Sequence, residues 1–152
     1  MMAMTNIPTV FLVEDEPDHA QLIMGVLQQE GHLVNEIVWV KNGRQAVDYV
    51  FQTGMYAGHT IAPPGLIVLD LKLPELDGFE VLQRLKQDER TQTIPVVMLT
   101  TSQNADDVER ALRLGANDYI AKPVVWAEFE RKVREMGKYW ALVSDAALAR
   151  QP

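Results

Sequence analysis

Five short apolar runs, each followed by a stretch of helical period, constrain this chain more than any other feature. The runs are Thr9 to Val13, about Val34 to Val40, Leu66 to Leu69, Val96 to Leu99 and the shorter Tyr119 to Ala121. A run without polar alternation suits a strand buried on both faces, as in a parallel sheet covered by helices. The intervening segments carry apolar faces of helical spacing: Ala20, Ile23, Met24 and Leu27 after Pro17; Ala46, Val47, Val50 and Phe51 after Asn42-Gly43; Phe79, Leu82 and Leu85 after Asp77-Gly78; and Val108, Ala111 and Leu112. Pro17 fits a first helical position, where its missing N–H is no loss, and Gly31, Gly54 and Gly115 are the expected stops. A long final helix is expected from about Val125 past Val143, and Thr53 to Gly65, with two glycines and two prolines inside it, reads as an irregular loop. Five βα units with right-handed crossovers predict a doubly wound α/β domain with a five-stranded parallel sheet. The expected strand order is the flavodoxin-like 2-1-3-4-5, which puts the functional crevice at the carboxyl ends of strands 1 and 3.

The 152 residues suit one domain, with no internal repeat and no linker. With no cysteine, disulfides, thiolate metal sites and thiol catalysis are excluded. A net charge of −7 opposes binding to nucleic acid or an anionic membrane surface. No stretch reaches the ~18 apolar residues of a membrane span, and the start MMAMTNIP lacks a signal-peptide pattern, so a soluble cytoplasmic protein is expected. His19, His32 and His59 have no ligand spacing and read as packed or solvated side chains.

The strand ends carry the chemistry. The first ends Val13-Glu14-Asp15-Glu16, the third in Asp70, the fourth in Thr100-Thr101-Ser102 and the fifth in Ala121-Lys122-Pro123. Taken singly, Asp15 or Glu16 would be a helix cap, Thr100 a turn residue and Lys122 a solvated lysine. Asp70 resists that reading, because four apolar residues lead into it. Asp15 and Asp70 on neighbouring strands would repel unless a cation intervened, and Mg²⁺ typically takes one or two carboxylates with waters and a phosphate. A cation, an ammonium and a hydroxyl around a carboxylate make a place for a transferred phosphoryl group.

The stretches FLVEDEPD, LIVLDLKLPELDG, IPVVMLTTS and GANDYIAKP, in that order, resemble the response-regulator receiver domain of two-component signalling over about residues 8 to 138, with 139 to 152 as a C-terminal extension of a single receiver domain. The resemblance implies a phosphoacceptor at Asp70, an acidic metal-binding pair at Glu14 and Asp15, a phosphate-contacting hydroxyl at Thr100 and a phosphate-binding lysine at Lys122. It also implies a main-chain carbonyl ligand for Mg²⁺ at Lys72, an aromatic switch residue at Tyr119 and a cis Lys122-Pro123 bond. Lys72 and Ser102 fall where the family borders the path of the attacking water and so tune phosphoryl lifetime. The implied function is transfer of a phosphoryl group from a sensor histidine kinase to Asp70 with Mg²⁺, changing the surface of the fourth helix, fifth strand and fifth helix for a downstream protein. VNEIVWVKNGRQAVDYVF, TGMYAG and KYWALV narrow the resemblance to stand-alone regulators of bacterial phytochrome kinases, with a bacteriophytochrome as donor.

After this pattern little chain remains for an output domain. Phe129, Val133, Met136, Trp140 and Val143 are spaced 4, 3, 4 and 3, a coiled-coil type of seam, with Trp140 and Val143 expected beyond the sheet edge, so a homodimer through the last helix is expected. One rival reading is a Mg²⁺-dependent phosphohydrolase with an aspartyl phosphate, but that chemistry wants a second acid where Lys72 or Pro17 stands. A flavin module lacks its phosphate loop after strand 1, and a phosphate-independent docking module would be expected to have lost site residues that are all present here.

Overall fold

The computed structural model describes residues 7–29 and 34–149. The elements are β1 (Ile7–Val13), α1 (Pro17–Gln29), β2 (Val34–Val40), α2 (Gly43–Phe51), a 3-10 turn (Gly54–Tyr56), β3 (Leu66–Leu69), α3 (Gly78–Gln87), β4 (Val96–Thr100), α4 (Ala105–Arg113), β5 (Asp118–Ala121) and α5 (Trp126–Ala149). The sheet runs β2-β1-β3-β4-β5 with every pairing parallel, the flavodoxin-like order expected.

Successive residues of a strand face opposite sides of a sheet. The apolar runs therefore feed two cores. Val10, Leu12, Leu66, Val68, Val97 and Leu99 face α1 and α5, where Ala20, Ile23, Leu27, Phe129 and Val133 meet them. Phe11, Val13, Ile67, Leu69, Val96 and Met98 face α2, α3 and α4 through Ala46, Val47, Val81, Leu82, Leu85 and Ala111. Each large side chain so buried contributes about 1.5–3 kcal/mol of transfer free energy.

Local chemistry starts the helices. Asn42 Oδ1 accepts from Gln45 N at 2.8 Å and Asp77 Oδ1 from Glu80 N at 3.0 Å, capping α2 and α3. Asn104 Oδ1 accepts from Asp106 N at 2.8 Å at the start of α4. Such caps contribute about 1 kcal/mol each.

Several expectations are corrected. Helix α2 ends at Phe51, capped by Gln52 in the left-handed region at φ 54°, and not at Gly54, which starts the 3-10 turn. Asp48 causes this: its carbonyl accepts from Thr53 N at 2.9 Å and its carboxylate from Thr53 Oγ1 at 2.9 Å, reversing the chain before the glycine. Leu112 is 49% exposed, so α4 packs a narrower stripe than its periodicity promised, with Ala111 its buried residue. In α3 Val81 is fully buried while Phe79 is half-buried. The Lys122-Pro123 bond is trans, for no cis peptide occurs among the described residues. Trans is the lower-energy isomer, and it already carries Lys122 to the site. Gly31 and His32 lie outside the described residues. No helix among the described residues is long and apolar enough to cross a membrane.

Candidate functional site

The parallel register brings the carboxyl ends of β1, β3, β4 and β5 to one edge. Glu14 is anchored by its backbone: its N–H donates to Val40 O at 3.1 Å and its carbonyl accepts from Trp39 Nε1 at 2.7 Å. Asp70 N donates to Val13 O at 3.1 Å, which extends the β1–β3 ladder into the site. Asp70 Oδ1 accepts from Leu71 N at 2.7 Å and, more weakly, from Lys72 N at 3.4 Å. Lys122 N donates to Thr100 O at 2.7 Å, joining the ends of β4 and β5.

Lys122 crosses this edge. Its Nζ donates to Glu14 Oε1 at 2.6 Å and to Asp70 Oδ2 at 3.0 Å, and it lies 2.9 Å from His19 Nδ1. Glu14, Asp70 and Lys122 are 1%, 7% and 3% exposed, so the charges are buried and must compensate one another. Two carboxylates share one ammonium, which leaves a negative excess. Burial pushes the Glu14 carboxyl up to about 7; Lys122 opposes that rise and the Asp70 charge adds to it. Asp15, half-buried, is also raised by burial, with the Asp70 and Glu16 charges adding to the effect.

One carboxylate oxygen from each of Glu14, Asp15 and Asp70 lies within 4.8 Å of the others. An all-oxygen, acid-rich donor set of that size fits a hard divalent cation and not a soft one. The excess negative charge favours the same ligand.

The other residues singled out in the sequence take distinct places. Thr100 is fully buried at the end of β4, and its Oγ1 lies 3.5 Å from Ser102 N. Ser102 Oγ donates to Asp107 Oδ2 at 2.6 Å, so that hydroxyl is tied to the first turn of α4. Tyr119 is half-buried, and its hydroxyl donates to Ser102 O at 3.0 Å, linking β5 to the β4–α4 loop. Lys72 is exposed and lines an open depression with Asp15, Asp77, Phe79 and Asp107. Phe129, Val133, Met136 and Trp140 are all buried in the core shared with α1, Trp140 at 9% exposure. The expected reach of Trp140 beyond the sheet edge is therefore corrected: this part of the seam faces the chain's own core. The side chain of Val143 lies outside those described.

Two contacts were missed in the sequence. His19 touches Lys122, and Trp39 holds the Glu14 carbonyl. His19 stands four residues after Asp15, in the first turn of α1, and that nearness to the acids was the available signal. Nothing in the sequence marked Trp39.

The family model described as "Response regulator receiver domain" matches residues 10–134. The chain is 40% identical over 131 residues to the probable methanogenesis regulatory protein FilR2 of Methanothrix harundinacea, covering 86% of this chain and 82% of that protein. It is 35% identical over 131 residues to the response regulator Rcp1 of Synechocystis, covering 86% and 87% of the two chains. The Mn²⁺-bound crystal structure of Rcp1 superposes with a TM-score of 0.82 at 34% identity, over 88% of this chain and 94% of that one. The phosphorylated cyanobacterial phytochrome response regulator RcpA superposes with a TM-score of 0.81 at 37% identity, with the same coverage. With a matched family pattern over residues 10–134, the expected sheet order and an acidic cluster at the sheet's edge, the chain belongs to the response regulator receiver domain family.

Proposed function

We propose that this chain is a phosphorelay response regulator whose Asp70 accepts a phosphoryl group from a sensor histidine kinase. The observation that carries this reading is the Lys122 ammonium buried between Glu14 and Asp70, with Asp15 beside them. Glu14, Asp15 and Asp70, with the Lys72 carbonyl, supply oxygen ligands for Mg²⁺, which when bound supplies the positive charge that screens incoming phosphoryl oxygens from these acids.

In the transfer, an Asp70 carboxylate oxygen forms a bond to phosphorus as the N–P bond of the donor phosphohistidine breaks. The electron pair of that bond stays on the imidazole nitrogen, which takes a proton from solvent. Leu71 N–H and Lys122 hold the carboxylate in one orientation, so attack needs little rearrangement. Lys122 and the Thr100 hydroxyl then take the oxygens of the new dianion. A move of Thr100 toward the phosphoryl group shifts the Ser102 segment, whose carbonyl holds Tyr119, and so alters the α4-β5-α5 face. The chemistry the protein assists is its own phosphorylation and dephosphorylation.

The likeness to RcpA supports a phytochrome-type kinase as donor, and the signal passes to a downstream protein. Self-association through α5 belongs to the same reading, carried by its outward side, where Tyr139 is 57% exposed. Sedimentation that finds only monomer at high concentration, with and without a phosphoryl analogue, removes that part. The phosphohydrolase alternative is disfavoured by Lys72, where a general acid is needed. A docking module that never takes phosphate is disfavoured by the intact buried charge cluster.

Incubation with acetyl phosphate and Mg²⁺, read by intact mass, tests the assignment. The parent gains one phosphoryl mass and Asp70→Asn gains none. No gain in the parent refutes phosphorelay function, and a gain in both moves the acceptor elsewhere.

A further inference from the structure

An ammonium has three N–H groups and no acceptor. Lys122 is buried, so each of the three needs a partner, and the two carboxylates satisfy two. The third partner is His19 Nδ1, 2.9 Å away. Since the ammonium only donates, Nδ1 carries the lone pair, and the ring is the neutral form with its proton on Nε2.

The ring is itself held in place. It packs edge-on against Trp126 at 5.7 Å and Phe129 at 5.4 Å, and those two rings stack at 5.7 Å with an interplanar angle of 10°. Trp126 is the first residue of α5 and half exposed, whereas Phe129 is fully buried. The start of α5 thus grips His19, and His19 grips the lysine.

Of the three acceptors, Glu14 and Asp70 are both claimed by the metal and the phosphoryl group under the proposed function, on which this step rests. His19 is the acceptor that the reaction leaves chemically unchanged. We infer that His19 is a positioning residue: its neutral Nδ1 holds the Lys122 ammonium at Asp70 throughout phosphoryl transfer and links that ammonium to Trp126 at the start of α5. A histidine that only filled space between α1 and α5 would be replaced equally well by an apolar side chain or by a short acceptor. A positioning histidine separates the two replacements, because Asn offers an oxygen close to the place of Nδ1 and Leu offers none.

The test compares the parent, His19→Leu and His19→Asn with acetyl phosphate and Mg²⁺. Mass is followed in time, and Trp126 fluorescence is isolated by difference from Trp126→Phe. His19→Leu is expected to be phosphorylated roughly ten-fold more slowly, the order set by one hydrogen bond to a charged group. It is also expected to lose the Trp126 signal that accompanies phosphorylation, and His19→Asn to regain most of both. If the parent gains phosphoryl mass and His19→Leu matches it in rate and in Trp126 signal, this inference fails alone. If the parent gains none, the proposed function fails and takes this inference with it. Nitrogen NMR of the parent's His19 ring needs no variant to fold: an unprotonated Nδ1 is expected, and a proton on Nδ1 overturns the inference.

Discussion

Lys122 Nζ sits 2.6 Å from Glu14 Oε1 although 108 positions separate the residues and β3 and β4 lie between their strands. One flexible side chain therefore closes an acid site assembled from opposite ends of the sequence. Its single positive charge faces two buried carboxylates, and that imbalance has measurable consequences.

Glu14 makes stability depend on pH in a definite direction. Its carboxyl is raised from 4.5 to about 7 by burial, so between those values the folded state binds more protons than the unfolded state. Its contribution to stability then falls as pH rises from about 4.5 to about 7 and stays low above that, by an amount on the order of 3 kcal/mol. Glu14→Gln removes this slope. Urea unfolding at pH 5 and pH 7.5 without divalent cation should show the variant gaining on the parent at about the higher pH; a difference that is constant or shrinks contradicts the account.

Gly78 allows the chain to pass Asp70. A Cβ there would stand 2.1 Å from the Asp70 carbonyl oxygen and 2.7 Å from Leu71 Cα, both backbone atoms. Gly78→Ala should cost about 1–3 kcal/mol and slow phosphorylation, because relief requires moving the acceptor's own backbone. Gly25→Ala is the control: among the described residues nothing outside its own helix lies within 4 Å of its Cβ, and in mid-helix it should stabilise by about 0.5–1 kcal/mol. Thermal unfolding of both variants decides.

Asn117 secures the opposite edge of the sheet. Its Oδ1 accepts from Val96 N at 2.9 Å and from Lys86 Nζ at 3.2 Å, and Lys86 also donates to Ile94 O at 2.8 Å. Asn117→Ala leaves the buried N–H of Val96 without a partner, so a loss of about 1–3 kcal/mol is expected with the phosphorylation rate little changed. A rate that fell with stability would mean the two edges are coupled.

Lys72 should lengthen the life of the phosphoryl group. The side chain is exposed beside Asp15 and Asp107 at the mouth of the site, where a cation can lie over the new dianion. Lys72→Ala is expected to lose phosphate faster, by roughly the few-fold that one exposed charge pair supplies. Decay no faster than the parent's, read by mass, sinks the idea.

The fold was legible wherever one segment decided its own state. Leu66 to Leu69 has no polar residue to offer solvent, and all four are buried. Asn42 and Asp77 cap helices with their own side chains. The charged cluster was legible because Glu14, Asp15, Asp70 and Lys122 all stand at strand ends. Illegible were features decided by a distant partner. Gln52 ends α2 because Asp48 and Thr53 reverse the chain, a contact that glycine counting does not reveal. Helical spacing identified the apolar side of Trp140 but not that the core shared with α1 would cover it. His19 alone is an ordinary histidine; its partner stands 103 residues further on.

Strand β5 lies at the margin of the sheet, bonded among the described residues to β4 alone, and no residue of its pattern is fully buried. Margins of this kind open first in local fluctuations. The site's cation rides on that margin, so each fraying event would carry the ammonium away from both acids, and a dianion bound at Asp70 would stitch the hem shut. Amide exchange along β5 and the start of α5 thus becomes a gauge of phosphoryl occupancy, readable at backbone positions that never touch the phosphoryl group.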